Sequence, residues 1–264
     1  MNNTIQTFIR RNWLTLLELV VLAVLGWIVW KIQFLIPSIF GADGYLHIRM
    51  AEFMREWGVH YRFHWTRFAV LFDGFADKDL LYHSLLIPFT FAKDLITGAK
   101  WSAVVWFWSF IGVMYIFIRK WGERTLALPF VIVLLSSPSF VFDLMRPRPF
   151  AAALIITIVL LYFLVQKRHI AAGVTTAVYG FLHISAPYAI VYAFIVESVR
   201  LIDDRRLHWR NLLAVSIGLL TATLLHPHYP HNLTQYYFSF LIPFLATKTG
   251  VLELGAEFFP LDTR

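Results

Sequence analysis

The chain has 264 residues, of which 59% are hydrophobic and 15% are charged, whereas ordinary soluble domains carry roughly 25% charged residues. This composition excludes a typical soluble domain and predicts an integral membrane protein. The absence of cysteine excludes disulfides, thiolate metal sites and cysteine nucleophiles. The formal net charge is +7, but in a membrane protein the distribution of Lys and Arg mainly reports orientation, so no nucleic-acid partner is expected.

Apolar runs of spanning length recur along the chain. The first, Leu14 to Ile36, exceeds the roughly 20 residues that cross a bilayer, and we interpret it as a retained span because a signal peptide has a shorter apolar core. Six shorter runs follow at 101–118, 125–142, 150–165, 170–185, 187–202 and 212–225. The sequence therefore predicts one all-α membrane domain over 1–264, with about seven transmembrane helices and an external tail at 226–264.

The segment 80–96 sets the predicted orientation. If it does not cross the membrane, the basic clusters all face one side, as the positive-inside rule requires; they lie at 10–11, 119–124, 166–169 and 200–210. Its Pro88, Lys93 and Asp94 also fit a helix in the membrane plane. We therefore expect a multi-pass protein with a cytoplasmic N-terminus and a large first external loop at 41–100.

That loop opens with FGADGYLHIRMAEFMREWG at 40–58. Helical spacing predicts an amphipathic in-plane helix with an apolar stripe of Leu46, Met50, Phe53 and Trp57. Asp43 fits the N-cap of this helix, where a carboxylate accepts backbone N–H groups and meets the positive end of the helix dipole. A purely structural role for Asp43 therefore stands beside a functional one, and His47 follows one turn later on the edge of the stripe.

The stretch DGYLHIRMAE, followed by YHSLLIPF before the next span, resembles the first external loop of the GT-C glycosyltransferases, and SSPSFVFDLMRPRPF resembles them more loosely. These membrane enzymes use polyprenyl- or dolichyl-linked sugars and include oligosaccharyltransferases, protein mannosyltransferases and aminoarabinose transferases. The resemblance implies a GT-C-like fold with two in-plane helices in the first loop. It also implies that Asp43, by position, is a catalytic base or a metal ligand, with a divalent Mg²⁺ or Mn²⁺ ion as a cofactor.

Members of that family usually carry further spans and often a soluble external domain that binds the acceptor. Neither follows in this chain, which ends at GAEFFPLDTR. We therefore expect a minimal member, a fragment of a longer protein, or one part of a complex with a partner subunit.

Two arginines are candidate ligands for a lipid phosphate. Arg146 and Arg148 lie in RPRPF at the predicted outer end of the third span, where the prolines favour an extended backbone. A planar guanidinium suits phosphate oxygens, although snorkelling to lipid headgroups is an equal alternative. Asp143, just before them, is a second carboxylate able to approach the site.

Histidines mark other predicted outer ends of the spans. We expect the substrate cavity to be lined by His47, His183, His226 and His228. The loop HPHYPHN also contains His231, but it lacks a paired acid, so hydrogen bonds to sugar, phosphate or headgroups are favoured over a metal site. For three acids of the first loop the expectation is ordinary solvation: Asp73, Asp77 and Asp79.

Together with these candidate residues, the resemblance implies a glycosyltransferase that moves a sugar from a polyprenyl-phosphate donor to an acceptor at the outer membrane face. Asp43 would act as base or metal ligand, and the two arginines would hold the phosphate. Two alternatives stay open: a non-catalytic protein that binds or carries lipid-linked sugar or serves as a scaffold subunit, and a membrane transferase of lipid or acyl groups. Expected partners are the donor, membrane lipid and a partner subunit.

Overall fold

The computed structural model describes residues 3–59, 74–205, 209–242 and 245. All regular structure in this part of the chain is helical, which confirms the predicted all-α class. The chain forms two compact units: the first contains Met1–Arg55 and His83–Ile158, and the second contains Glu56–Tyr82 and Val159–Arg264. The predicted single membrane domain stays a prediction.

Eleven α-helices follow one another in the described residues: α1 (Asn3–Leu35), α2 (Asp43–Trp57), α3 (Leu80–Leu86), α4 (Leu95–Trp121), α5 (Ala127–Leu135), α6 (Pro138–Met145), α7 (Phe150–Val165), α8 (His169–Leu182), α9 (Tyr188–Asp204), α10 (Trp209–Leu224) and α11 (His231–Tyr236). A 3₁₀ helix, Ile87–Phe91, extends α3 and contains Pro88 in its first turn. The segment predicted to form the second helix of the first loop is therefore helical.

Two helices are long and apolar enough to cross a membrane: α1, over Trp13–Leu35, and α4. Helices α5 and α6 are long and apolar enough to cross a membrane only when they are taken together, and they are bent by 88° relative to each other. Helices α7, α8 and α10 are apolar but shorter. The described residues thus contain two candidate spans, or three with the bent pair, which is fewer than the seven predicted from the apolar runs.

The bend between α5 and α6 has a local cause. Ser137 lies just before α6 in an extended conformation, and its side chain accepts a hydrogen bond from the Phe140 N–H. Pro138 begins α6, a position that proline tolerates because its missing N–H would be unpaired there, whereas it disrupts a helix interior. The apolar run 125–142 is therefore a broken span or a re-entrant loop rather than one straight helix.

In the first unit, α1 packs on α4 and α6 through an apolar core that includes Leu22, Phe107 and Leu144. A polar contact crosses the same interface, because Glu18 of α1 accepts hydrogen bonds from Tyr115 and from Arg119 of α4, the latter at 2.8 Å. The acid that interrupts the first apolar run is therefore ion-paired.

In the second unit, α8 packs on α10 through small residues. A Cβ added to Gly218 would lie 2.1 Å from the carbonyl oxygen of Gly173. A Cβ added to Gly180 would lie 2.4 Å from the Cβ of Ala222. Ala214, Gly218 and Ala222 follow one another every four residues, the spacing that lets membrane helices approach closely. Glycine and alanine thus determine the distance between these helices.

A buried polar network joins the neighbouring helix ends of this unit. Glu197 of α9 accepts hydrogen bonds of 2.5 Å from Arg200 and from Asn211. Arg200 also donates to the carbonyls of Leu164 and Val165, at 2.6 Å each. Since the last carbonyls of a helix have no partner within it, this arginine caps α7.

Helix α2 begins at Asp43, which therefore lies in its first turn rather than at the N-cap position. The buried face is formed by Gly44, His47, Ile48, Met50, Ala51, Phe53 and Met54. Of the predicted apolar stripe, Met50 and Phe53 are buried in the protein, whereas Leu46 and Trp57 are exposed. A Cβ on Gly44 would lie 2.4 Å from the Pro147 side chain, so α2 approaches Pro147 closely at this small residue.

Candidate functional site

Four charged side chains of the first unit form a carboxylate-arginine cluster: Asp43, Asp143, Arg146 and Arg148. Arg146 donates to Asp43 at 3.0 Å and to Asp143 at 3.4 Å. Arg148 donates to Asp143 at 2.6 Å and has a nitrogen 3.9 Å from the Asp43 carboxylate. Asp43, Arg146 and Arg148, which the sequence indicated as site residues, therefore lie together with Asp143. Asp43 is about 100 residues away from the other three along the chain.

The backbone brings these groups together through tight contacts. Gly41 has φ +77°, a conformation that favours glycine, and a Cβ there would lie 2.6 Å from the Arg146 Nε. The guanidinium carbons also lie over aromatic rings, that of Arg146 at 5.9 Å from Phe142 and that of Arg148 at 5.3 Å from Phe150. Both arginines are thus held against the protein with their ends directed to the carboxylates.

The cluster is partly open to solvent. Asp43 is the most exposed member, with 49% of its side chain accessible. Burial lowers the pKa of Arg148 from its ordinary value, and the neighbouring charge of Arg146 lowers it further. The Nε atoms of both arginines are buried and form no hydrogen bond in the described part of the chain. Paired carboxylates and guanidiniums of this kind can bind an anion at the arginines while an acid remains available as a base.

A second feature of this unit is a histidine pair, His47 of α2 and His83 of α3. The His47 Nδ1 lies 2.8 Å from the His83 Nε2, and both rings are buried, with 8% and 3% of each residue exposed. His47 was a candidate from the sequence and His83 was not. The only sequence signal for His83 is its place in YHSLLIPF, the stretch that resembles the second helix of the GT-C first loop.

Imidazole nitrogens are ligands for several metal ions, so this pair is able to contribute to a metal site in the first unit. The Mg²⁺ or Mn²⁺ cofactor expected from the sequence stays a prediction, and Asp43 lies outside the pair.

In the second unit, the acidic turn at 77–79 contacts the predicted histidines. The Asp77 N–H donates to the His228 Nδ1 at 3.3 Å, and the Asp79 carboxylate lies 3.9 Å from the His183 Nε2. Asp77 and Asp79 are only 2% and 1% exposed, so the expected solvation is wrong for both. Hydrogen bonds within the turn, such as that from the Asp79 N–H to the Asp77 carboxylate at 3.0 Å, offset the loss of water.

His183 is oriented by a local chain of hydroxyl groups. Its Nδ1 accepts the Ser185 N–H at 3.2 Å and lies 2.6 Å from the Ser185 Oγ. The Tyr179 hydroxyl lies 2.8 Å from the same Oγ. Because Nδ1 is the acceptor, the neutral ring carries its proton on Nε2, the nitrogen that faces Asp79.

His226 and His228 are neighbours in the same unit. The His228 N–H donates to the His226 Nδ1 at 3.2 Å, and the His226 ring stacks on Phe181 with 5.9 Å between centroids. Burial lowers the pKa of His226 below its ordinary value, and the nearby His228 lowers it further. Both rings are buried, whereas His231, at the start of α11, is exposed.

Two earlier expectations concern residues that the structure does not describe: Asp73, and the tail from residue 246 onward. Among the described candidates, Asp43, Arg146 and Arg148 lie together in the first unit. In the second unit, His183 and His228 both contact the acidic turn at 77–79. Comparisons of the chain with protein-family models, with curated proteins and with solved structures found no match.

Proposed function

We propose that the protein is a membrane glycosyltransferase that takes a sugar from a polyprenyl-phosphate donor and transfers it to an acceptor at the outer membrane face. The observation that carries this proposal is the carboxylate-arginine cluster. It joins the acid of the first loop to two arginines next to the candidate spans, and so combines a base with cations for a phosphate.

The proposed reaction assigns each group of the cluster a part. Asp43 accepts the proton of the acceptor as its nucleophilic atom forms a bond to the anomeric carbon of the sugar. The bond between that carbon and the phosphate oxygen breaks, and the lipid phosphate leaves with the electron pair. Arg146 and Arg148 stabilise the negative charge that develops on the leaving phosphate, using donors that are already oriented.

The proposed setting is a multi-pass membrane protein with a GT-C-like fold, a cytoplasmic N-terminus and the site on the external side. Apolar side chains on several helices support membrane contact; Ile170 of α8 is 84% exposed and Ile202 of α9 is 79% exposed. Such surface is unfavourable in water and favourable against lipid tails. In this setting the isoprenoid tail lies among the helices and the phosphate reaches the cluster.

The test is transfer of labelled sugar from a panel of polyprenyl-phosphate sugars by the purified protein. Asp43→Asn removes the base while preserving shape, and we expect turnover to fall roughly 100-fold or more, the usual contribution of a general base. The matched control is Asp94→Asn in the same unit, because Asp94 caps α4 through the Thr97 N–H and lies outside the cluster. Wild-type turnover by Asp43→Asn in folded protein would contradict the proposal.

A separate measurement distinguishes catalysis from binding alone. In the proposed enzyme, Arg148→Gln weakens donor binding because it removes a phosphate ligand, whereas Asp43→Asn leaves donor binding close to wild type. Donor binding by the wild type without any turnover would instead favour the non-catalytic alternative, a binding or scaffold subunit.

A further inference from the structure

We propose that an open groove at the junction of α7 and α8 binds an anionic phospholipid of the surrounding membrane. Its lining includes Arg168 and His169 at one end and the apolar residues Phe163, Ile170 and Val174. The groove has a volume of about 640 Å³, within the roughly 300–1,000 Å³ of small-molecule sites. All of these residues belong to the second unit, and the proposal does not rest on sugar transfer.

The turn between α7 and α8 determines the position of Arg168. Lys167 has a φ of 56°, and its N–H donates to the Leu164 carbonyl at 3.1 Å. The Arg168 N–H donates to the Phe163 carbonyl at 2.9 Å. These two bonds form a Schellman motif, a common end of a helix at a left-handed residue. Arg168 therefore has a defined backbone conformation directly before the first residue of α8.

The Arg168 side chain is available to a ligand from outside the protein. It is exposed, and within the described residues it forms no ion pair or hydrogen bond. Its guanidinium carbon lies 5.8 Å from the centre of the Tyr162 ring, a contact that favours one orientation of the side chain. A planar guanidinium binds two oxygens of one phosphate, so Arg168 suits a phosphate headgroup.

His169 is the second polar residue of the groove, and Asn211 of α10 orients its ring. The Asn211 Nδ2 donates to the Leu164 carbonyl at 3.1 Å and to Glu197 at 2.5 Å. Because both amide hydrogens are used, the Asn211 Oδ1 accepts from the His169 Nδ1, at 2.6 Å. The other ring nitrogen, Nε2, is then left for a headgroup. It accepts from a hydroxyl when the ring is neutral and donates to a phosphate when the ring is protonated.

The rest of the groove is apolar and suits acyl chains. Ile170 and Val174 lie one turn apart on α8 and are 84% and 60% exposed, and Val178 continues the row. Such surface is more favourable in contact with lipid tails than with water. A cation beside a row of exposed apolar side chains matches a phospholipid, in which an anionic headgroup and apolar tails are joined in one molecule.

The charge at this end of the groove favours an anionic headgroup over a zwitterionic one. The sequence QKRH at 166–169 contains no acid, and the predicted orientation places it on the cytoplasmic side. Anionic lipids give the cytoplasmic leaflet its negative surface potential, and each nearby Lys or Arg strengthens the attraction roughly fivefold.

The experiment measures binding of labelled phosphatidylglycerol and phosphatidylcholine, with the same acyl chains, to the delipidated full chain in detergent. We expect one saturable phosphatidylglycerol per chain, bound roughly fivefold more tightly than phosphatidylcholine. Arg168→Gln should remove this preference by lowering the affinity for phosphatidylglycerol alone. The matched control is Lys120→Gln, which removes an exposed basic residue of the first unit and should bind both lipids as the wild type does.

Two further arms separate the headgroup from the tail. Soluble glycerol phosphate carries the same charge without acyl chains, so it should not displace the bound lipid. Ala171→Phe adds a large side chain to the lining of the groove and should abolish saturable binding although Arg168 is retained.

Four outcomes would overturn the proposal: equal binding of the two lipids by the wild type, equal losses in Arg168→Gln and Lys120→Gln, displacement of the lipid by glycerol phosphate at the affinity of the lipid itself, or wild-type binding by folded Ala171→Phe. If Arg168→Gln does not fold, the comparison of the two lipids and the competition with glycerol phosphate, both on the wild type, decide the question.

Discussion

Gly41 shows how one residue can position a charged group. Its φ of +77° is costly for residues with a side chain, by about 1–2 kcal/mol, and an added Cβ would also meet the Arg146 Nε at 2.6 Å. The glycine therefore lets the loop after α1 turn directly against Arg146. In the sequence FGADG, the turn at Gly41 is therefore followed by Asp43, which accepts a hydrogen bond from Arg146.

His226 should make the protein less stable in acid. Burial and the neighbouring His228 hold its pKa below the ordinary value near 6.5, so the folded state favours the neutral ring. The unfolded chain then binds more protons than the folded one at low pH. The resulting stabilisation is complete above the unfolded pKa and is lost as pH falls through about 6.5 toward the folded pKa.

We therefore expect His226→Gln to reduce the loss of stability between about pH 7.5 and pH 5, because glutamine does not titrate in this range. The measurement is thermal unfolding in detergent, followed by tryptophan fluorescence at several pH values. His231→Gln is the control, since His231 is exposed. An unchanged pH dependence in His226→Gln would show that other groups dominate acid sensitivity.

At the scale of helices, small residues and one proline determine how the elements meet. Gly218 allows α10 to contact the backbone of α8, and Pro138 divides one apolar run into α5 and α6. The run 125–142 has the composition of a single span, but its two serines and proline favour a new helix start. Helix contacts in this protein therefore depend on residues that contribute little hydrophobicity.

Gly218→Ala should destabilise the α8–α10 pair. Its Cβ would lie 2.1 Å from the Gly173 carbonyl oxygen, which belongs to the backbone and cannot rotate away. We expect a loss of about 1–3 kcal/mol, the usual cost of overpacking, seen as a lower midpoint of unfolding in detergent.

The matched control for this change is Gly112→Ala in α4. Apart from the backbone of α4 itself and the two adjacent residues, no atom of the described part of the chain lies within 4 Å of a Cβ at that position. The substitution should therefore leave stability unchanged or raise it by up to about 1 kcal/mol through helix propensity. Equal effects of the two substitutions would show that the close contact between α8 and α10 is not important for stability.

At the scale of the whole molecule, the distribution of basic residues predicts the orientation in the membrane. If the clusters at 119–124, 166–169 and 200–210 are cytoplasmic, residue 75 in the first loop lies outside and residue 205 lies inside. Reporter fusions at these two positions should therefore be active on opposite sides. Location on the same side would contradict the predicted topology and the external position of the site.

Local patterns were sufficient to predict much of the helical structure. The run predicted at 150–165 is the helix Phe150–Val165, and the helix predicted to begin near Asp43 is Asp43–Trp57. Hydrophobicity and helical spacing act over a few turns of chain, so they can be recognised without knowledge of the fold. Charge also indicated Arg146 and Arg148, because ionisable residues near apolar runs are unusual.

Contacts between distant residues could not be inferred in this way. The pairing of Asp43 with Arg146, the meeting of His47 with His83 and the burial of Asp79 all depend on how helices pack after they form. Packing is governed by shape, including the close approaches at Gly41 and Gly44, and shape arises from many weak interactions across the chain. Composition and spacing therefore specify the helices, whereas the partners within each cluster follow from the three-dimensional packing of those helices.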